Sequence, residues 1–132
     1  MNIKRFILAS LAVFVFIFIY EWLFHGLLLK DMYTATASLW RPQGQCIFPA
    51  MLAGQILFPL IFTFIFTKGY ENKGLAEGAR YGLLIGLLFV PNHLIFYAVQ
   101  PLPLNLVAAW IIGGLAEMIL AGMILAAVYR GR

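Results

Sequence analysis

The chain has 132 residues, of which 64% are hydrophobic and only 11% charged, a composition outside the range of soluble domains. A soluble fold of this length has too little interior to hide so much apolar surface, so the solvent for most of it is lipid. The formal net charge of +4 comes from basic residues at the edges of apolar runs, where they report topology and not nucleic-acid binding, and the single cysteine, Cys46, excludes an intrachain disulfide or a Cys-x-x-Cys motif.

Lys4 and Arg5 precede the first apolar run, residues 6–29. It is too long for a signal peptide and lacks a small-x-small cleavage site, so it reads as a retained first helix. Glu21 and His25 interrupt it, with Gly26 beside them. Positions i and i+4 share one helical face, so both side chains are expected to point away from lipid.

Residues 30–47 break the pattern with Asp31, Thr34, Thr36, Ser38, Trp40-Arg41-Pro42 and Gly44. They read as an outer loop or short surface helix, with Tyr33 and Trp40 as headgroup anchors. The second helix, 48–67, carries Gly54, Gln55 and Pro59, and a row formed by Phe58, Phe62 and Phe66 that is expected to face lipid or a neighbour. Pro59 has no N–H for the Gln55 carbonyl, which predicts a local kink.

Residues 68–74 form the most hydrophilic connection. In the third helix, 75–99, Gly74, Gly78, Gly82 and Gly86 keep a four-residue spacing, a stripe that lets another helix come close. Continuing up the helix leads to Asn92, His93 and Tyr97. The fourth helix, 104–129, repeats Ala109, Gly113, Glu117 and Ala121 every four residues, which sets Glu117 against a neighbouring helix.

The basic residues divide seven to two: Lys4, Arg5, Lys68, Lys73, Arg80, Arg130 and Arg132 against Lys30 and Arg41. The positive-inside rule then predicts that both termini are cytoplasmic. Tyr70, Tyr81 and Tyr129 would line the inner interface, and Tyr33, Trp40, Tyr97 and Trp110 the outer one. The predicted architecture is an all-α integral membrane protein, one transmembrane domain over residues 1–132, folded as a four-helix antiparallel bundle.

Glu21, His25, Gln55, Asn92, His93 and Glu117 draw on all four helices and fall at the midplane or in the outer half. An isolated charge at a helix centre costs about 2.5 to 3.5 kcal/mol on insertion scales, so the acids require hydrogen bonds, protons or histidine partners. Gly74, Gly78, Gly82, Gly86 and Gly113 are the expected packing residues. No phosphate loop, nucleophile elbow or His-Glu-x-x-His motif is present, so nothing points to catalysis. Glu21, His25, His93 and Glu117 are ligand types for a metal ion, and His25 with His93 could flank a haem b; neither cofactor is predicted by a motif.

At Trp40-Arg41-Pro42, at Lys68-Gly69-Tyr70-Glu71-Asn72-Lys73-Gly74 through Glu77-Gly78-Ala79-Arg80-Tyr81-Gly82, and at Gln100-Pro101-Leu102-Pro103, the chain resembles uncharacterised small bacterial four-helix inner-membrane proteins. The resemblance covers most of the length and implies a bacterial inner-membrane location. In size and helix number the chain is also similar to the small multidrug resistance transporters, although Glu21 lies farther along its helix than their first-helix carboxylate. The leading expectation is a non-catalytic structural or accessory subunit, working in the lipid bilayer as a homo-oligomer or in a larger membrane complex. The alternative is a small proton-coupled or ligand-binding transporter using Glu21 and Glu117.

Overall fold

In lipid every backbone N–H and C=O must find its partner within the chain, and a helix does this locally. The apolar runs accordingly fold as helices. The structure, a computed structural model, describes residues 1–130; Gly131 and Arg132, the latter one of the seven basic residues assigned to one side, lie outside them. The described residues are all-helical without a strand. They form α1 (Ile3–Leu23), a π-helical turn (Phe24–Leu28), α2 (Lys30–Ala35), α3 (Phe48–Lys68), α4 (Leu75–Val99) and α5 (Leu104–Val128), with two short 3-10 turns between α2 and α3.

Four segments are long and apolar enough to cross a membrane: Ile3–Leu28, Phe48–Lys68, Leu75–Val99 and Leu104–Val128. The shortest has 21 residues. At ~1.5 Å per residue that matches a hydrocarbon core of ~30 Å. Asn2 starts α1 by accepting the Arg5 N–H at 3.1 Å. Pro59 and Pro91 lie inside α3 and α4, and both helices run on through them.

The closest pairing joins α4 to α5; α5 also packs on α1, and α1 on α3. The α4–α5 seam is made by the glycine stripe. A Cβ at Gly78 would strike the carbonyl of Gly122, one at Gly82 the carbonyl of Met118, and one at Gly86 the Leu115 side chain. As residue numbers rise along α4 they fall along α5. Gly122, not singled out by the sequence reading, is the reciprocal half of this seam, since its own Cβ would strike the carbonyl of Gly78.

Gly74 does not belong to the seam. It has open space around it and φ of +76°, so its role is the turn that launches α4. Gly113 does pack, against the ring of Phe24 and not against another helix backbone.

The hydrophobic core gathers Ala9 and Val13 of α1, Phe62 and Phe66 of α3, and Met118, Ala121, Leu125 and Ala126 of α5, with Tyr129 just beyond. Phe62 and Phe66 are only 2% and 3% exposed, so this part of the phenylalanine row faces the protein interior and not lipid. The aromatic rings also connect α3 to α4, through Phe58 with Phe89 and Phe62 with Tyr81. Tyr81 donates its hydroxyl to the Phe62 carbonyl at 2.5 Å. Tyr81 and the buried Tyr129 are therefore packing residues, where an interfacial belt was expected. The neighbouring 69–74 loop is held by buried Glu77, whose two carboxylate oxygens accept the Glu71 N–H at 2.6 Å and the Lys73 N–H at 2.7 Å. Lys73 in turn donates to Glu71, and this hydrogen bond holds the exposed Glu71 carboxyl below its ordinary value.

One end of the bundle is therefore solid. The other, where α1 turns into α2, is hollow.

Candidate functional site

The hollow end is built first by the π-helical turn. Its wide winding closes with a hydrogen bond from Leu29 N–H to the Phe24 carbonyl at 2.9 Å, five residues back. The extra residue per turn changes the direction in which the following segment leaves, and α2 turns over the end of the bundle. Its Tyr33, expected as a lipid-headgroup anchor, instead points inward.

Tyr33 is the centre of a hydrogen-bonded chain. Trp110 of α5 donates its indole N–H to the Tyr33 hydroxyl at 2.7 Å. The same hydroxyl lies 2.5 Å from His25 Nδ1, and His25 Nε2 lies 2.8 Å from Glu21 Oε2. An indole can only donate, so the Tyr33 oxygen accepts from Trp110 and directs its one hydrogen to His25 Nδ1. His25 then carries its hydrogen on Nε2 and donates it to Glu21. Every member is satisfied only in this direction, from Trp110 through Tyr33 and His25 to Glu21. Tyr33 lies outside the membrane-crossing segments, and burial pushes its phenol above the ordinary 10.0, against the lowering effect of the Trp110 hydrogen bond.

Glu117 of α5 is the far end of this chain. Its carboxyl is within hydrogen-bond reach of Glu21. Two ionised carboxylates are both acceptors only, so such a contact needs a proton between them. Glu117 is 6% exposed, and its Oε2 is buried with no hydrogen-bond partner. An orphaned oxygen of this kind is unusual, since most buried polar atoms are paired.

Tyr20, one helical turn before Phe24, donates to the Gly113 carbonyl at 2.6 Å and fixes α1 to α5 just beside the acids. The Phe24 ring then covers Gly113. This contact explains why a small residue stands one turn before Glu117.

Two cavities open around the acids. The first, about 410 Å³, is walled by Glu21, Phe24, His25, Tyr33, Trp40, His93, Phe96, Gln100, Leu102, Trp110, Gly114 and Glu117. The second, about 500 Å³, lies between all four long helices and is bounded by Glu21, Gln55, Phe58, Phe89, His93, Gly114 and Glu117, with further apolar side chains. Glu21, His93, Gly114 and Glu117 belong to both walls, so the cavities meet at the acid pair. No lysine or arginine stands on either wall among the described residues.

Of the six sequence candidates, Glu21, His25, His93 and Glu117 converge on the first cavity. Gln55 reaches only the second, and Asn92 is exposed and on neither wall. His93 faces the Trp110 ring, centroids 5.9 Å apart. The 30–47 loop adds a lid: Trp40 donates to Thr36 Oγ1 at 2.9 Å, and its ring meets Tyr33 and Trp110 edge to face. Tyr33, Trp40 and Trp110 are thus site residues that the sequence reading placed at the lipid interface. Nothing in their spacing marks them, since Tyr33 meets His25, Trp110 meets His93 and Trp40 meets both Tyr33 and Trp110 only once the chain is folded.

Among the described residues no three His, Cys, Asp or Glu side chains are grouped in a way that could hold a metal ion. His25 already uses both ring nitrogens, so a metal ion or haem iron there would have to displace Glu21 or Tyr33. Cys46 is exposed, outside both cavities. Comparison with protein-family models, with curated proteins and with solved structures returns no match, and the resemblance drawn from the sequence is carried by its own residues alone.

Proposed function

We propose that this chain is a multi-pass protein of the bacterial inner membrane, an antiparallel bundle with both termini cytoplasmic, that binds a small organic cation at Glu21 and Glu117 in exchange for the proton the two carboxyls share. The single observation that carries the reading is the buried, unpartnered Oε2 of Glu117 at the meeting point of two cavities.

A polar cluster that served only to hold helices together would be filled by its own side chains. Here the carboxyls stand beside open space, while Trp110, Tyr33 and His25 spend their hydrogens along their own chain. No donor of the chain meets Glu117 Oε2, and a protonated amine supplies several N–H groups together with a compensating charge. The walls suit its apolar body: Trp40, Trp110, Phe24 and Phe96 present aromatic surfaces, which attract cations. A volume of about 410 Å³ lies within the range of small-molecule sites.

The exchange balances. An ammonium enters between Glu21 and Glu117, the shared proton leaves to water, and two carboxylates then face one cation. This proton coupling makes a small transporter the function that fits best, with assembly into an oligomer completing the path across the membrane. The seven-to-two distribution of basic residues supports the orientation.

The test is calorimetric titration of the full-length protein in lipid nanodiscs with butylamine, in two buffers of different ionisation enthalpy. Binding with release of a proton is expected. Glu117→Gln removes a charge-assisted contact and should weaken binding roughly ten- to a hundredfold while the helical circular dichroism is retained. Absence of binding, or binding indifferent to both Glu21→Gln and Glu117→Gln, would overturn the reading.

A further inference from the structure

Gly113 and Gly114 are adjacent on α5, yet their surroundings are opposite. A Cβ at Gly113 would collide with the Phe24 ring, whereas one at Gly114 meets nothing within 4 Å. Close packing therefore explains Gly113 and cannot explain the open space at Gly114, which with Glu21, His93 and Glu117 belongs to both cavity walls. The missing side chain leaves an aperture beside Glu117.

The two chambers differ in chemistry. The first holds the His25, Tyr33 and Trp110 hydrogen bonds and the aromatic lid. The second is mainly apolar: away from the shared residues, its polar side chain is Gln55, and the rest of its lining includes Met51, Phe58, Phe89 and Ile111. Gly54, on the α3 wall, is again without a neighbour within 4 Å of its Cβ position. A ligand consisting only of a charged head would fill the first chamber and leave the second empty.

We infer that the site is bipartite and takes a single-chain alkylamine, with the ammonium held between Glu21 and Glu117 and the hydrocarbon chain passing Gly114 into the second chamber, between the four long helices. This rests on the cation reading above and specifies its substrate class. The amine is drawn to the acids by charge, and the chain is drawn to the second chamber by burial of its methylenes. The unbranched Met51 side chain can adjust to chains of different length.

The experiment measures binding of an n-alkylamine series, butylamine to octylamine, to the full-length protein in nanodiscs, against protein-free nanodiscs as the partition baseline. Wild type should gain up to about fourfold in affinity per added methylene, the factor that corresponds to burying one CH₂, until the chamber is full. Gly54→Leu occupies that chamber from α3, away from the ammonium, and should flatten the dependence on chain length. Met51→Phe does the same from a different position and serves if Gly54→Leu does not fold. Equal chain-length dependence in wild type and both folded variants would overturn the bipartite site, even with butylamine bound normally. Failure of butylamine itself to bind the wild type would instead remove the cation reading, and this inference with it.

Discussion

Trp110 of α5 donates its indole N–H to the hydroxyl of Tyr33 on α2, 2.7 Å away, and this fastens α2 to the most buried of the four long helices. Removing the hydroxyl leaves both Trp110 Nε1 and His25 Nδ1 without their partner. Tyr33→Phe should therefore cost about 1 to 3 kcal/mol, read as a lower unfolding midpoint in mixed micelles. Tyr20→Phe is the useful contrast. The Gly113 carbonyl it contacts lies within a helix and keeps its backbone bond, so the loss should be nearer the ~0.6 kcal/mol average for interhelical hydrogen bonds in membranes.

The Tyr33 phenol also sets a pH limit. Its folded-state value lies above the unfolded 10.0 because burial disfavours the phenolate. The protonated form is then the one that folding favours, so its stabilisation is complete below 10.0 and is lost as pH rises through the higher folded value. Phenolate absorbance in wild type minus Tyr33→Phe should show a midpoint above 10.0. A midpoint at or below it would contradict the buried position.

At the α4–α5 seam, a side chain at Gly82 must displace the Met118 backbone, which cannot rotate away as a side chain could. Gly82→Val is expected to destabilise by about 1 to 3 kcal/mol or more through overpacking. The same measurement on Gly44→Ala, at an exposed position with open space around it, should show a change within about 0.5 kcal/mol.

Glu77 holds two backbone N–H groups of the 69–74 loop. Glu77→Ala frees both, and although water can reach parts of this loop, loss of bonds to a charged acceptor should cost about 1.5 to 3 kcal/mol. Faster proteolytic cleavage within residues 69–74 is the direct measurement, with the other connections unchanged.

Cys46 gives a direct reading of orientation because it is exposed and is the chain's one cysteine. With cytoplasmic termini, the 30–47 loop faces the periplasm. A membrane-impermeant maleimide should then label Cys46 in intact cells, and labelling that requires permeabilisation would reverse the assignment.

The long helices could be read from the sequence because the apolar runs are bounded by Lys68–Gly74 and by Gln100–Pro103, and α3, α4 and α5 fall within one residue of the expected 48–67, 75–99 and 104–129. Spacing also revealed the seam at Gly78, Gly82 and Gly86, since four-residue periodicity has one helical meaning. The sequence leaves Phe62 and Phe66 between lipid and a neighbour, because an apolar row looks the same whether it meets lipid or core. Tyr33 and Trp40 were misread for a related reason, since an amphipathic ring near a loop suits either a headgroup or a polar cavity. Depth along the helix groups Asn92 with His93, yet neighbours on a helix point about 100° apart. The π-helical turn at Phe24–Leu28 leaves no mark in composition at all, and it decides where α2 goes.

That turn also makes the chain sensitive to its own length at one place. Losing one residue between Phe24 and Leu28 without a change of winding would rotate all that follows by about 100°. Tyr33 would be carried off the axis it shares with His25 while Glu21, before the turn, stayed in place. A single-codon deletion there would thus disconnect the relay with none of its members altered.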